Sequence, residues 1–64
     1  MTPTKALSER EKELQSMLTT PAGREEIRQL ESRYQAASGR ERPARTSIIT
    51  YILVHERELG LIRG

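Results

Sequence analysis

His55 is the only histidine of the chain, and Glu56 and Glu58 stand beside it. An imidazole next to a carboxylate is a pair that could move protons near neutral pH. Covalent catalysis would also need a nucleophile, and the sequence has no cysteine and no serine set apart by its neighbours. A histidine late in a helix has a simpler role, because its imidazolium is favoured by the negative end of the backbone dipole. No catalytic residue is assigned, and the chain is read as non-enzymatic.

Carboxylates are the other candidates for chemistry. Glu9, Glu11, Glu13, Glu25 and Glu26 could supply oxygens to a cation, but Arg10, Lys12, Arg24 and Arg28 are interleaved with them. Alternating signs at this spacing make solvated helix faces laced with local ion pairs. One histidine without cysteine cannot build a thiolate–imidazole metal site. The glycines at 23, 39, 60 and 64 are scattered, so no phosphate-cradling loop forms. No cofactor, metal or small-molecule ligand is expected.

The arginines are distributed unevenly. Residues 1–38 balance six basic against six acidic side chains, whereas 39–64 hold five Arg against three Glu, so the net charge of +2 resides in the last third. Arginine is the better residue for bidentate contact with phosphate or carboxylate. Arg40, Arg42 and Arg45 crowd a basic linker, 40–45, broken by Pro43; Thr46, Ser47, Thr50 and Arg57 follow. A helix, a basic connection, an apolar helix with one small polar side and the exit Glu-Leu-Gly-Leu-Ile together resemble a helix-turn-helix unit over about 21–62. The resemblance implies that Thr46, Ser47 and Thr50 face the major groove while Arg40, Arg42, Arg45 and Arg57 grip phosphates. Two features run the other way. The connection from Gly39 to Thr46 exceeds the roughly 3–4-residue turn of that motif, and the net charge is low for a polyanion binder. The competing account makes the arginines a solvated loop and Ser47 and Thr50 a cap and a filler.

Three helices must position these residues. Ser8-Glu9-Arg10-Glu11 matches a capping box, and Leu14, Met17 and Leu18 give an apolar edge, predicting a first helix at about 8–18 after a loosely ordered tail, 1–7. Thr20-Pro21 is a second start, with Thr as cap and Pro in the first turn. Ile27, Leu30, Tyr34 and Ala37 then form one stripe, with Ala22 joining it, and Gly39 stops a helix over about 21–38. Gly23, in the first turn of that helix, suggests a close approach of another element. The run Ser47-Ile48-Ile49-Thr50-Tyr51-Ile52-Leu53-Val54 could be a strand by residue type. It continues through His55 and Leu59 to Gly60, however, a helix-length stretch with Thr46 or Ser47 as cap, and a helix at about 47–59 is predicted. Leu61 and Ile62 are expected to fold back and close the core.

The resulting expectation is an all-α, compact three-helix domain with the apolar third helix central. Its predicted core is Leu14, Leu18, Ile27, Leu30, Tyr34, Ile48, Ile49, Ile52, Leu53 and Leu59. With 64 residues, 34% hydrophobic content, two Tyr and neither Phe nor Trp, burial offsets chain entropy only narrowly. No disulfide can help, so sharing core with a second copy is expected to make a homodimer. The apolar run is far shorter than the roughly 20 residues of a membrane span, and the N-terminus is soon charged. A cytoplasmic protein with no membrane contact follows as the expectation. Two functions are carried forward: a binding module acting through self-association or contact with another protein, and a helix-turn-helix-like DNA-binding protein.

Overall fold

The structure, a computed structural model, describes residues 4–64. Helices α1 (Leu7–Met17), α2 (Pro21–Ser38) and α3 (Ile48–Glu58) each pack on the other two. Two short strands, β1 (Lys5–Ala6) and β2 (Ile62–Arg63), pair in parallel with Lys5 opposite Ile62 and Ala6 opposite Arg63. The pairing ties the two ends of the described chain together beside α1 and α3.

The start of α1 differs from the expected capping box. Ala6 occupies the N-cap position and no side chain caps the helix. Because Lys5 and Ala6 are held extended by β2, the chain enters the helix directly from the strand, and Ser8 falls inside the first turn. Residues 5–7, read from sequence as part of a loose tail, are therefore strand and helix; residues 1–3 of that tail lie outside the described residues.

The α2 boundaries follow their signals. The Thr20 hydroxyl accepts from the Gly23 amide at 3.0 Å, Pro21 opens the helix, and Gly39 ends it in the left-handed region at φ 71°. Ile27 and Tyr34 are buried and Leu30 is half-buried, while Ala22 and Ala37 at the two ends of the expected stripe are exposed. Gly23 is buried where α2 folds back onto the end of α1, and a Cβ there would lie 2.0 Å from the Met17 carbonyl oxygen. Alanine is the better helix former by about 0.8–1.0 kcal/mol, yet the clash is with backbone and must be relieved by shifting the turn. Gly23→Ala is expected to destabilise by about 1–3 kcal/mol, lowering the melting temperature by about 4–8 °C per kcal/mol. A thermal melt followed by circular dichroism checks this.

The apolar run is a helix. Ser47 caps α3 by accepting from the Thr50 amide at 3.2 Å. At the other end, the Gly60 amide donates to the Arg57 carbonyl (3.1 Å) and the Leu61 amide to the Glu56 carbonyl (2.9 Å). This is the paired arrangement of a Schellman cap, which requires the positive φ of 78° that Gly60 adopts.

The core consists of Leu14, Ile27, Tyr34, Tyr51, Ile52, Leu53 and Ile62, flanked by half-buried Leu18, Leu30, Ile48 and Ile49. Leu59 departs from expectation and is 62% exposed. Its helix has ended, and the Schellman turn sends the chain back so that Ile62, not Leu59, fills the space over the core. Of the two residues expected to fold back, Ile62 does so; Leu61 points outward and is 53% exposed. Among the described residues no helix is long and apolar enough to cross a membrane.

Candidate interaction surface on the third helix

Burying α3 on one side determines what its other side presents. Tyr51, Ile52, Leu53 and Glu56 face inward, whereas Ser47, Thr50, Val54, Arg57 and Glu58 are exposed. The inward face includes one charge. Glu56 is 3% exposed, and it receives Arg10 Nε at 2.7 Å, Arg10 Nη2 at 2.8 Å and Tyr34 Oη at 2.9 Å. Arg10 comes from α1 and Tyr34 from α2, so a single carboxylate joins all three helices. The fork of Arg10 suits two carboxylate oxygens, and its Nη1 also donates to Glu13 at 3.1 Å.

The network shifts the titration of Arg10 and Tyr34. The hydrogen bond to Glu56, outweighing burial, holds the Arg10 guanidinium still more firmly in its charged form. Burial and then the hydrogen bond to Glu56 push the Tyr34 phenol up to about 12. Its stabilising contribution is complete below the ordinary tyrosine value near 10 and is lost as pH rises through 10 towards 12. In a Tyr51→Phe variant Tyr34 is the sole tyrosine, and its absorbance titration is expected to have a midpoint well above 10, coinciding with alkaline unfolding. On the surface, hydrogen bonds from Lys5 and then Arg10 hold the Glu13 carboxyl below the usual range.

Because Glu56 is committed to Arg10 and Tyr34, it does not pair with His55. The imidazole of His55 lies against Tyr34 and Tyr51 (ring centroids 5.7 and 4.3 Å apart), and its Nδ1 lies 3.0 Å from the Tyr51 carbonyl oxygen. The residue is half-buried late in α3, the position expected for it.

The structure separates the seven residues of the helix-turn-helix reading. Arg42 pairs with Glu31 of α2 and donates to the Thr46 carbonyl oxygen, pinning the linker to the domain. Ser47 Oγ is spent on the Thr50 amide and on Thr50 Oγ1, 2.8 Å away. Thr46 is half-buried, and its amide closes a turn onto the Pro43 carbonyl at 3.0 Å. Arg40, Arg45 and Arg57 are exposed with no carboxylate within 4.0 Å among the described residues. Arg42→Ala is expected to loosen the linker, costing about 1 kcal/mol and raising amide hydrogen exchange at Thr46 and Ser47.

What α3 does present is an apolar edge. Leu7, Thr50, Leu53, Val54 and Arg57 line an open cleft of about 130 Å³ between the start of α1 and the outer side of α3. Val54 is 42% exposed at its margin, and Leu61 stands just beyond the helix end. The small stripe of α3 is legible in the sequence, whereas Leu7 falls within the tail expected at 1–7. A larger cleft of about 330 Å³ between α1 and α2 is lined by Arg10, Met17, Glu26, Gln29, Leu30 and Arg33. It mixes both signs of charge, and Arg10 there is already engaged by Glu56 and Glu13. No protein-family model matches the chain, and neither a curated protein nor a solved structure shows significant similarity to it.

Proposed function

We propose that the chain is a helical binding module that acts through protein contact, above all with itself, using the outer edge of α3. The observation that carries this reading is the apolar cleft bounded by Leu7, Leu53 and Val54, with Leu61 exposed nearby. Apolar side chains gathered at one edge of a small, highly charged domain gain about 25 cal/mol per Å² when a partner covers them. A domain whose buried apolar core is seven of its described residues, three of them fully buried, also has the most to gain from that cover. Val54→Asp puts a charge on the edge without touching the core. It is expected to weaken self-association at least tenfold by analytical ultracentrifugation while leaving the helical circular dichroism intact. Unchanged association in that variant would place the contact elsewhere.

A second reading, binding of duplex DNA, has one observation in its favour. Arg40, Arg45, Arg57 and Arg63, within and on either side of α3 in sequence, are exposed with no carboxylate within 4.0 Å among the described residues, whereas Arg10 and Arg42 are paired internally. The commitments of Arg42, Ser47 and Thr50 leave fewer groups for such a role than the motif implies. Fluorescence anisotropy on mixed-sequence duplex separates the two readings. DNA binding requires a log–log salt slope near −0.9 per neutralised phosphate, made shallower by Arg45→Ala. Absence of binding at low salt leaves protein contact alone.

A further inference from the structure

We infer that β1 and β2 form a latch, held shut by Glu13 of α1, that opens without unfolding the three helices and bares the backbone edge of β2 when it does. The ladder is two residues on each side, Lys5 opposite Ile62 and Ala6 opposite Arg63. A two-stranded pair is marginal by itself even when longer than this. Side chains around it must therefore keep it closed.

The two strands are anchored unequally. Ile62 of β2 is 5% exposed and belongs to the core, where the turn at Gly60 delivers it. Lys5 and Ala6 of β1 are both exposed. No side chain caps α1 behind them, so the helix does not itself hold its entry strand extended. β1 is the moving half of the latch and β2 is its seat.

Glu13 supplies the catch. Its two carboxylate oxygens are divided, Oε2 accepting from Lys5 Nζ and Oε1 from Arg10 Nη1 at 3.1 Å. Arg10 is fixed in turn by Glu56, so the buried joint orients the carboxylate that β1 meets. A polar chain thus runs from Lys5 through Glu13, Arg10 and Glu56 to Tyr34. Its outermost link is the weak one. The Lys5 and Glu13 side chains are 46% and 40% exposed, a setting in which an ion pair contributes little and salt screens it. An apolar contact closes the other side: Gly64, just past β2, lies so near Leu7 that a Cβ on it would be 2.6 Å from the Leu7 Cβ. Leu7 also lines the cleft beside Leu53 and Val54, so opening the latch frees one wall of that cleft.

Amide hydrogen exchange of the wild-type chain in urea below its unfolding transition reads the opening directly. Protected amides of residues 5–7 and 62–64 are expected to exchange at rates that urea leaves unchanged, because a local opening exposes little surface. Amides of Ile27 and Ile52 are expected to accelerate with urea. Lys5→Met should speed the strand amides about two- to fivefold, the range of an exposed ion pair, and leave the core amides as they were. High salt should do the same to the wild type and add nothing in Lys5→Met. Gly64→Val should speed the strand amides without any change of charge, by wedging the chain off Leu7. Strand amides that share the urea dependence of the core open only by global unfolding, which overturns the latch. Strand amides exchanging as fast as an unstructured peptide show that it never closes, which overturns it equally. Lys5→Met without effect on the strand, or with equal effect on strand and core, removes Glu13 as the catch.

Discussion

Glu56→Ala is expected to be among the most destabilising single changes in the chain. It removes the acceptor shared by Arg10 and Tyr34 and leaves a guanidinium and a phenol without their partners between packed helices. Breaking a buried pair from one side costs about 3–5 kcal/mol. Because Arg10 retains Glu13 and a side chain 20% exposed, the lower part of that range, about 3 kcal/mol, is expected. At roughly 0.05–0.15 kcal/mol per residue, a domain of this length has on the order of 3–10 kcal/mol in total. The variant should therefore be partly unfolded at 37 °C, visible in a urea or thermal titration. Glu56→Gln, which keeps an acceptor for Tyr34, should fall between it and the wild type. A Glu56→Ala melt within a few degrees of wild type would show that the three helices are held by apolar packing alone.

Ile52→Ala is the second large effect. Ile52 is 0% exposed on the inner side of α3, and truncation there costs about 2–5 kcal/mol through lost burial and the cavity left behind. Leu59→Ala provides the internal control. Leu59 is 62% exposed, so its truncation should change stability by less than about 0.5 kcal/mol. Chemical denaturation of the two variants side by side checks both the burial pattern and the end of α3. Equal losses would mean that Leu59 packs on the core after all.

Much of this fold was legible from local signals. Thr20-Pro21, Gly39, Ser47 and Gly60 each act through their own backbone geometry, so their roles needed no tertiary information. The stripe Ile27-Leu30-Tyr34 likewise followed from helical spacing. The start of α1 did not, because the partner that holds Lys5 and Ala6 extended is Ile62–Arg63 at the far end of the chain. No local pattern announces so distant a pairing. Leu59 was misplaced for a related reason: periodicity extends a stripe past a helix end, but Gly60 turns the chain and gives the core position to Ile62.

The polar joint also has a signature in helical spacing. Glu56 falls four residues after Ile52, Arg10 four before Leu14 and Tyr34 seven after Ile27, so all three lie on the buried faces of their helices. An acid, a base and a phenol on three inward faces of a three-helix domain imply mutual satisfaction, since a buried carboxylate requires partners. The interaction edge was only half visible, because Leu7 comes to α3 through the β1–β2 pairing and the turn into α1.

Self-association through the outer edge of α3 is the central claim, and sedimentation equilibrium of the wild-type chain across a concentration series tests it most directly. A monomer is 7.3 kDa. The prediction is a mass that rises with concentration to twice that value in the wild type and stays monomeric in Val54→Asp over the same range. A wild type that remains at the monomer mass at every concentration contradicts the claim, and the exposed arginines around α3 then become the surface to pursue.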